Sequence, residues 1–314
     1  MNKVFFVAAN NGYYSQGVPT EKCIAFFRER SSSLIYCTIV GNIVVKGGFP
    51  SNSSNGIMSY NTQWNKLAKS IYEAGAIPGI QLSFTWLHYS GQRKFENNNW
   101  TAYERGIFTI VDGTDYDTLF KHIHNSICLS INNGFKHIQI HAAHGYLLSI
   151  LLDPYYNSNY IKVIELLVNE AKYIAYRKCF SSIRISSFCG LSVIREDDRQ
   201  KVLNQLFKNT FDFIDISEGY YNFNKRFIYP YTEIELSSRL ARSLAIIEKY
   251  PLQKFIFSGH IDPFSSFPNN AYIGICRELI ANPQYLINAS KKCDDCGTCH
   301  FYSNGQSELS CSKW

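Results

Sequence analysis

The chain has 314 residues, 46% of them hydrophobic and only 18% charged, which excludes a disordered chain and leaves ample apolar surface for a core. Its net charge is +6 and no Lys/Arg block is interleaved with aromatics, so nucleic acid is not indicated, while a mild basic bias suits anionic phosphates or cofactors. No apolar run is long enough to span a membrane, and "LIYCTIVGNIVV" is broken by Gly41 and Asn42, so a cytoplasmic location is expected.

In chain order, short β-rich runs fall at 3–9, 34–40, 77–83, 137–142, 183–187, 213–217, 254–258 and 271–275. Helical patterns lie between them at 20–31, 61–75, 116–132, 160–178, 199–208 and 233–249, and one more follows the last strand at 277–290. The seventh connection, 262–269, is short and weakly helical. Strands alternating with helices imply parallel strands joined by right-handed crossovers, and eight such units predict a single-domain (β/α)8 TIM barrel. A doubly wound open sheet is the rival, but it would more often carry GxGxxG after strand one, where this chain has Ala-Asn-Asn-Gly-Tyr-Tyr. Segment 84–114 is a polar, aromatic excursion after strand three, expected as a lid over the mouth. The barrel is expected over 1–292, with a cysteine-containing tail at 293–314.

Barrel chemistry sits at the C-terminal ends of the strands. There the sequence places Asn10 and Asn11, Gly41 and Asn42, Gln81, then His141, His144 and Tyr146, Arg184, Ser217-Glu218-Gly219, Ser258-Gly259-His260, and Arg277. Amides, imidazoles, a phenol and guanidiniums suit a polar planar ligand with an anionic group better than a hard metal. Gly259 and Arg277 stand near strands seven and eight, the usual phosphate end of such barrels. The bland alternative is that each residue caps a strand or a helix.

The ordered set resembles the Old Yellow Enzyme family of FMN-dependent ene-reductases, the NADH:flavin oxidoreductases. The resemblance runs through "GVPTEKCIAFFRER", "TIVGNIVV", "IQLS", "HAAHGYLLSILLDPYYN", "IRIS" and "YIGICRELIANPQYL", and the fourth of these is the most specific. It implies FMN as cofactor, NADH or NADPH as reductant, and an enone-like or nitroalkene substrate. By the same resemblance Gln81 and Arg184 hold the pyrimidine side of the flavin, and Gly41 lets backbone approach the ring. Ala9 and Asn11 flank the ring at the end of strand one. Gly259 and Arg277 hold the phosphate, His141 and His144 polarise a substrate oxygen, and Tyr146 supplies a proton. Asn11 replaces the usual Thr or Cys, Cys276 replaces a phosphate-loop glycine, and the stretch that usually follows the motif's Asn157 is missing.

The tail places Cys293, Cys296, Cys299 and Cys311 as C-x2-C-x2-C-x11-C, a spacing open to [4Fe–4S], to Zn, or to plain thiols. Two other functions stay open: a non-catalytic flavin-binding barrel, and a metal-dependent hydrolase using His141 and His144 with Glu218. Nothing in the sequence fixes the oligomeric state.

Overall fold

The eight predicted strands form as β1 (Val4–Ala9), β2 (Ile35–Val44), β3 (Ile77–Ser83), β4 (His137–Ala142), β5 (Phe180–Phe188), β6 (Phe213–Glu218), β7 (Phe255–Ser258) and β8 (Ala271–Ile275). The computed structural model describes residues 3–96, 100–191, 196–208 and 210–314. Every neighbouring pair is parallel, and β1 pairs with both β8 and β2, so the sheet closes on itself as a (β/α)8 barrel. A two-residue strand, Gly56–Ile57, extends β2 on the outside.

Around the barrel run α1 (Glu21–Glu29), α2 (Thr62–Glu73), α3 (Trp100–Asp112), α4 (Tyr116–Asn132), α5 (Leu147–Leu151), α6 (Tyr160–Tyr176), α7 (Glu196–Leu206), α8 (Glu233–Lys249) and α9 (Arg277–Ala281). Side chains define their starts. Thr20, Asn61 and Asp115 accept first-turn N–H bonds, and Thr232 with Glu235 forms a reciprocal capping box on α8. The predicted helix 277–290 stops after five residues. Asn282 precedes Pro283 and is extended (φ −140°, ψ 105°), the conformation that the proline ring imposes on its predecessor. The 262–269 connection forms no helix; Asp262 instead caps a turn through Phe264 N and Ser265 Oγ.

The two-residue period of the strands divides the core. One face packs against the helices in an apolar layer that includes Phe6, Phe27, Trp64, Ile140, Ile183 and Ile214. The other face fills the barrel. At the N-terminal end, Phe5, Tyr36, Phe213 and Tyr272 make an aromatic plug, with Phe5 5.2 Å from Tyr36 and 5.4 Å from Phe213. Above the plug the inward positions turn polar, which places the chemistry at the C-terminal mouth.

Candidate active site

Register brings the polar layer together. Gln81 on β3 is level with Gln139 on β4, while Arg184 on β5 is level with His141 on one side and Asp215 on the other. Gln81 Nε2 donates to Gln139 Oε1 at 2.6 Å, and Gln139 Nε2 donates to Asp215 Oδ2 at 3.1 Å. Arg184 Nη1 lies 3.6 Å from that same carboxylate oxygen. Burial raises the Asp215 pKa, and the Arg184 charge opposes that rise. Arg184 Nε and Asp215 Oδ1 are buried without a partner.

Above this layer lies a cavity of about 230 Å³, lined by Ala9, Gln81, His141, His144, Tyr146 and Arg184 among others. His141 and Tyr146 stack with ring centroids 4.8 Å apart at 16°, and His144 meets His141 edge-on at 5.1 Å. His144 reaches this place through a left-handed backbone (φ 63°) followed by Gly145 at φ 73°, so the chain turns sharply off β4. The hydrogen bonds set the imidazole roles. Ala143 N donates to His141 Nδ1 at 3.2 Å, which leaves the proton on Nε2 as a donor. His144 Nε2 is 2.7 Å from Ser217 Oγ, a hydroxyl that also accepts from Arg184 Nη2 at 3.4 Å. Burial, reinforced by the Arg184 charge, lowers His141 to about 3 and holds His144 well below the usual range, so both rings are neutral. Burial raises the Tyr146 pKa, opposed by hydrogen bonds from Ser51 and Asn42, so the phenol keeps its proton.

At the far end, Gly259, His260, Arg239 and Arg277 line the same cavity. Gly259 has φ 130°, and a Cβ there would sit 3.2 Å from Arg239 Nε. Arg239 donates through Nη1 to the Phe227 and Ile228 carbonyls, while its buried Nε has no partner. Burial lowers its pKa to about 10.

Two expected residues are not on the cavity wall. Asn11 is fully buried and turned away, accepting from Tyr13 N at 3.0 Å and donating to Cys23 Sγ at 3.7 Å. Gly41 faces β3, where a Cβ would lie 2.8 Å from the Gln81 Cβ, so glycine is required there by strand packing. The aromatic excursion is also only half of the expected lid. Its Tyr89 packs edge-on to Tyr146 at 5.6 Å, but the wall itself comes from Tyr221, Tyr229, Phe301 and Tyr302. The last two belong to the tail, which folds back onto the mouth. Of the four tail cysteines only Cys299 lines the cavity, and all four are free thiols. Among the described residues no three His, Cys, Asp or Glu are drawn together to hold a metal ion. Burial pushes Cys293 up to about 11 and Cys299 up to about 12. Glu218, the carboxylate that a hydrolase would need, is held by Arg242 through bonds of 2.8 and 2.6 Å.

Gln139 and Asp215 were not among the predicted site residues, although "HIQIHA" and "FIDISE" place them on the same strand face as His141 and Ser217. Arg239 lies on a helix, and no signal in the sequence marks it.

No family model and no curated protein matches the chain. Solved structures do. The chain aligns over 100% of its length with a complex of 2-naphthoyl-CoA reductase and 2-naphthoyl-CoA (TM-score 0.74, 13% identity, 55% of that chain). It aligns over 99% with histamine dehydrogenase from Rhizobium sp. 4-9 (0.72, 14%, 50%) and with 6-hydroxypseudooxynicotine amine oxidase from Pseudomonas geniculata N1 (0.74, 14%, 51%). The chain therefore spans about half the length of these proteins, and the likeness is one of fold.

Proposed function

We propose that the chain is a flavin-dependent oxidoreductase that reduces activated C=C bonds. The observation that carries this reading is the His144–His141–Tyr146 cluster, set at the mouth of a cavity with Gln81 and Arg184 below it and Arg239 and Arg277 at one end. The three matched structures are by name a reductase, a dehydrogenase and an oxidase, which supports redox chemistry by analogy of fold.

The donor set fits FMN. Arg184 Nε and Arg239 Nε are buried donors without acceptors, as expected where a ligand supplies the acceptor. Gln81 and Arg184 would hold the pyrimidine edge of the flavin, and Gly259, Arg239 and Arg277 its phosphate. Bound there, the flavin would supply the hydride, replenished by NADH or NADPH. The residues of this chain do the rest. His141 Nε2–H donates to the oxygen of an α,β-unsaturated carbonyl or nitro group, with His144 beside it, and draws electron density from the alkene. Because both rings are neutral, they polarise that oxygen without protonating it. Tyr146 keeps its proton until the α-carbon becomes basic and then delivers it as general acid.

The test is stopped-flow mixing of the FMN-loaded, NAD(P)H-reduced protein with 2-cyclohexenone. Reoxidation in the enone-dependent phase supports the reading. Reduced protein that is oxidised only by oxygen contradicts it and leaves a flavin-binding barrel without ene-reductase activity. A metal-dependent hydrolase is disfavoured by the pairing of Glu218 with Arg242.

A further inference from the structure

The anion end of the cavity is already answered by the chain itself. Asp295, in the tail, places Oδ1 3.0 Å from Arg277 Nη1 and 2.6 Å from His260 Nε2. The opposite nitrogen of His260 is 2.8 Å from Glu278 Oε1. Asp295 adopts a left-handed backbone (φ 57°), a conformation that suits glycine, and it is this turn that brings its carboxylate to the arginine.

The tail carrying Asp295 is tied down at several points. Lys225 Nζ donates to Ser303 Oγ at 2.8 Å, Tyr302 Oη to the Gly91 carbonyl at 2.9 Å, and Tyr13 Oη to the Leu309 carbonyl at 2.5 Å. Trp314 Nε1 donates to the Ile280 carbonyl at 2.9 Å. The carboxylate is therefore presented by a docked segment rather than by a free end.

Arg277 at this end already has an ion-pair partner without a ligand. Arg277, His260 and Glu278 line the cavity, and Asp295 meets Arg277 and His260 from behind that wall. A phosphate monoester would add roughly −1.5 to −2 charge. It would have to displace Asp295 from Arg277 or sit against it.

We propose that Asp295 is a specificity-determining residue that holds Arg277 from behind the anion end of the cavity and suppresses selection for a phosphorylated ligand. On the flavin reading, on which this inference rests, the ring-binding half of the cavity accepts isoalloxazine, while Asp295 removes most of the advantage of FMN over riboflavin. The same residue gates any other ligand that ends in a phosphate.

The experiment is a fluorescence-quenching titration of the full chain with FMN and with riboflavin, in wild type, Asp295→Asn and Asp295→Gly. The glycine variant suits the left-handed backbone and guards against a folding artefact in the asparagine variant. Wild type is expected to bind the two flavins within about tenfold of each other. Both variants should tighten FMN by about tenfold while leaving riboflavin within about twofold. An unchanged ratio of FMN to riboflavin affinity in both variants overturns the proposal, as does a wild-type preference for FMN of about a thousandfold. If no form binds either flavin, the flavin reading fails, and inorganic phosphate decides the role of Asp295. A larger phosphate-induced rise in Tm for the variants than for wild type supports the proposal, and equal rises overturn it.

Discussion

At the scale of single residues, the cluster after β4 was legible because its chemistry is local. His141, Gly145 and Tyr146 lie within six residues, and the step from extended strand to turned backbone brings their rings together. Tyr146→Phe should leave reduction of bound flavin by NAD(P)H unchanged and slow the enone-dependent phase by about 10²–10⁴-fold, as read by stopped-flow absorbance. Loss of flavin in that variant would make Tyr146 a structural residue. Arg184 is a different case, because what holds it in place comes from three strands. Arg184→Met leaves Asp215 buried without its cation and should destabilise the fold by about 3–5 kcal/mol in urea unfolding. The double variant Arg184→Met/Asp215→Leu should recover part of that loss. The parity of "FIDISE" could have pointed to Asp215; nothing local could have pointed to Arg239, whose role depends on where α8 crosses the mouth.

At the scale of elements, strand positions were readable from runs of β-branched and aromatic residues, and helix starts from their caps. Thr232→Ala removes the hydroxyl half of the α8 capping box, leaves the backbone N–H of residue 232 donating to Glu235, and should cost about 1 kcal/mol in thermal or urea unfolding, with no change in the fold. The end of α9 was misjudged because the apolar pattern continues past Asn282-Pro283, whereas the proline governs the backbone. The lid was misassigned for a different reason. The excursion at 84–96 and the tail at 299–303 meet through Tyr302 and Gly91, 211 residues apart in sequence, and no periodicity carries information over that distance. On the helical layer, Trp64 is fully buried in α2, so Trp64→Ala should cost about 3–5 kcal/mol.

At the scale of the whole molecule, the buried histidines set the acid limit. Burial lowers His137 and His141 to about 3, and His144 also lies well below 6.5. Between pH 6.5 and 3 the unfolded chain therefore binds more protons than the folded one, and stability falls as pH is lowered through that window. Glu235, held below its usual range by the backbone N–H groups of Thr232 and Tyr231, adds a loss of the same sign. The urea midpoint should be highest near neutral pH and drop steadily from pH 6.5 to pH 4; a midpoint that is flat across that range would mean the rings are not buried as described. Barrel closure itself was readable from eight strand–helix repeats, since only closure pairs β1 with both β2 and β8.

Flavin binding in the cavity is tested most directly by the visible absorption spectrum of the purified chain titrated with FMN and riboflavin. Saturable, red-shifted flavin absorption is expected at one equivalent per chain, abolished in a folded Arg184→Met/Asp215→Leu variant. Free-flavin spectra at every ratio, with the chain folded, would contradict flavin binding in the cavity.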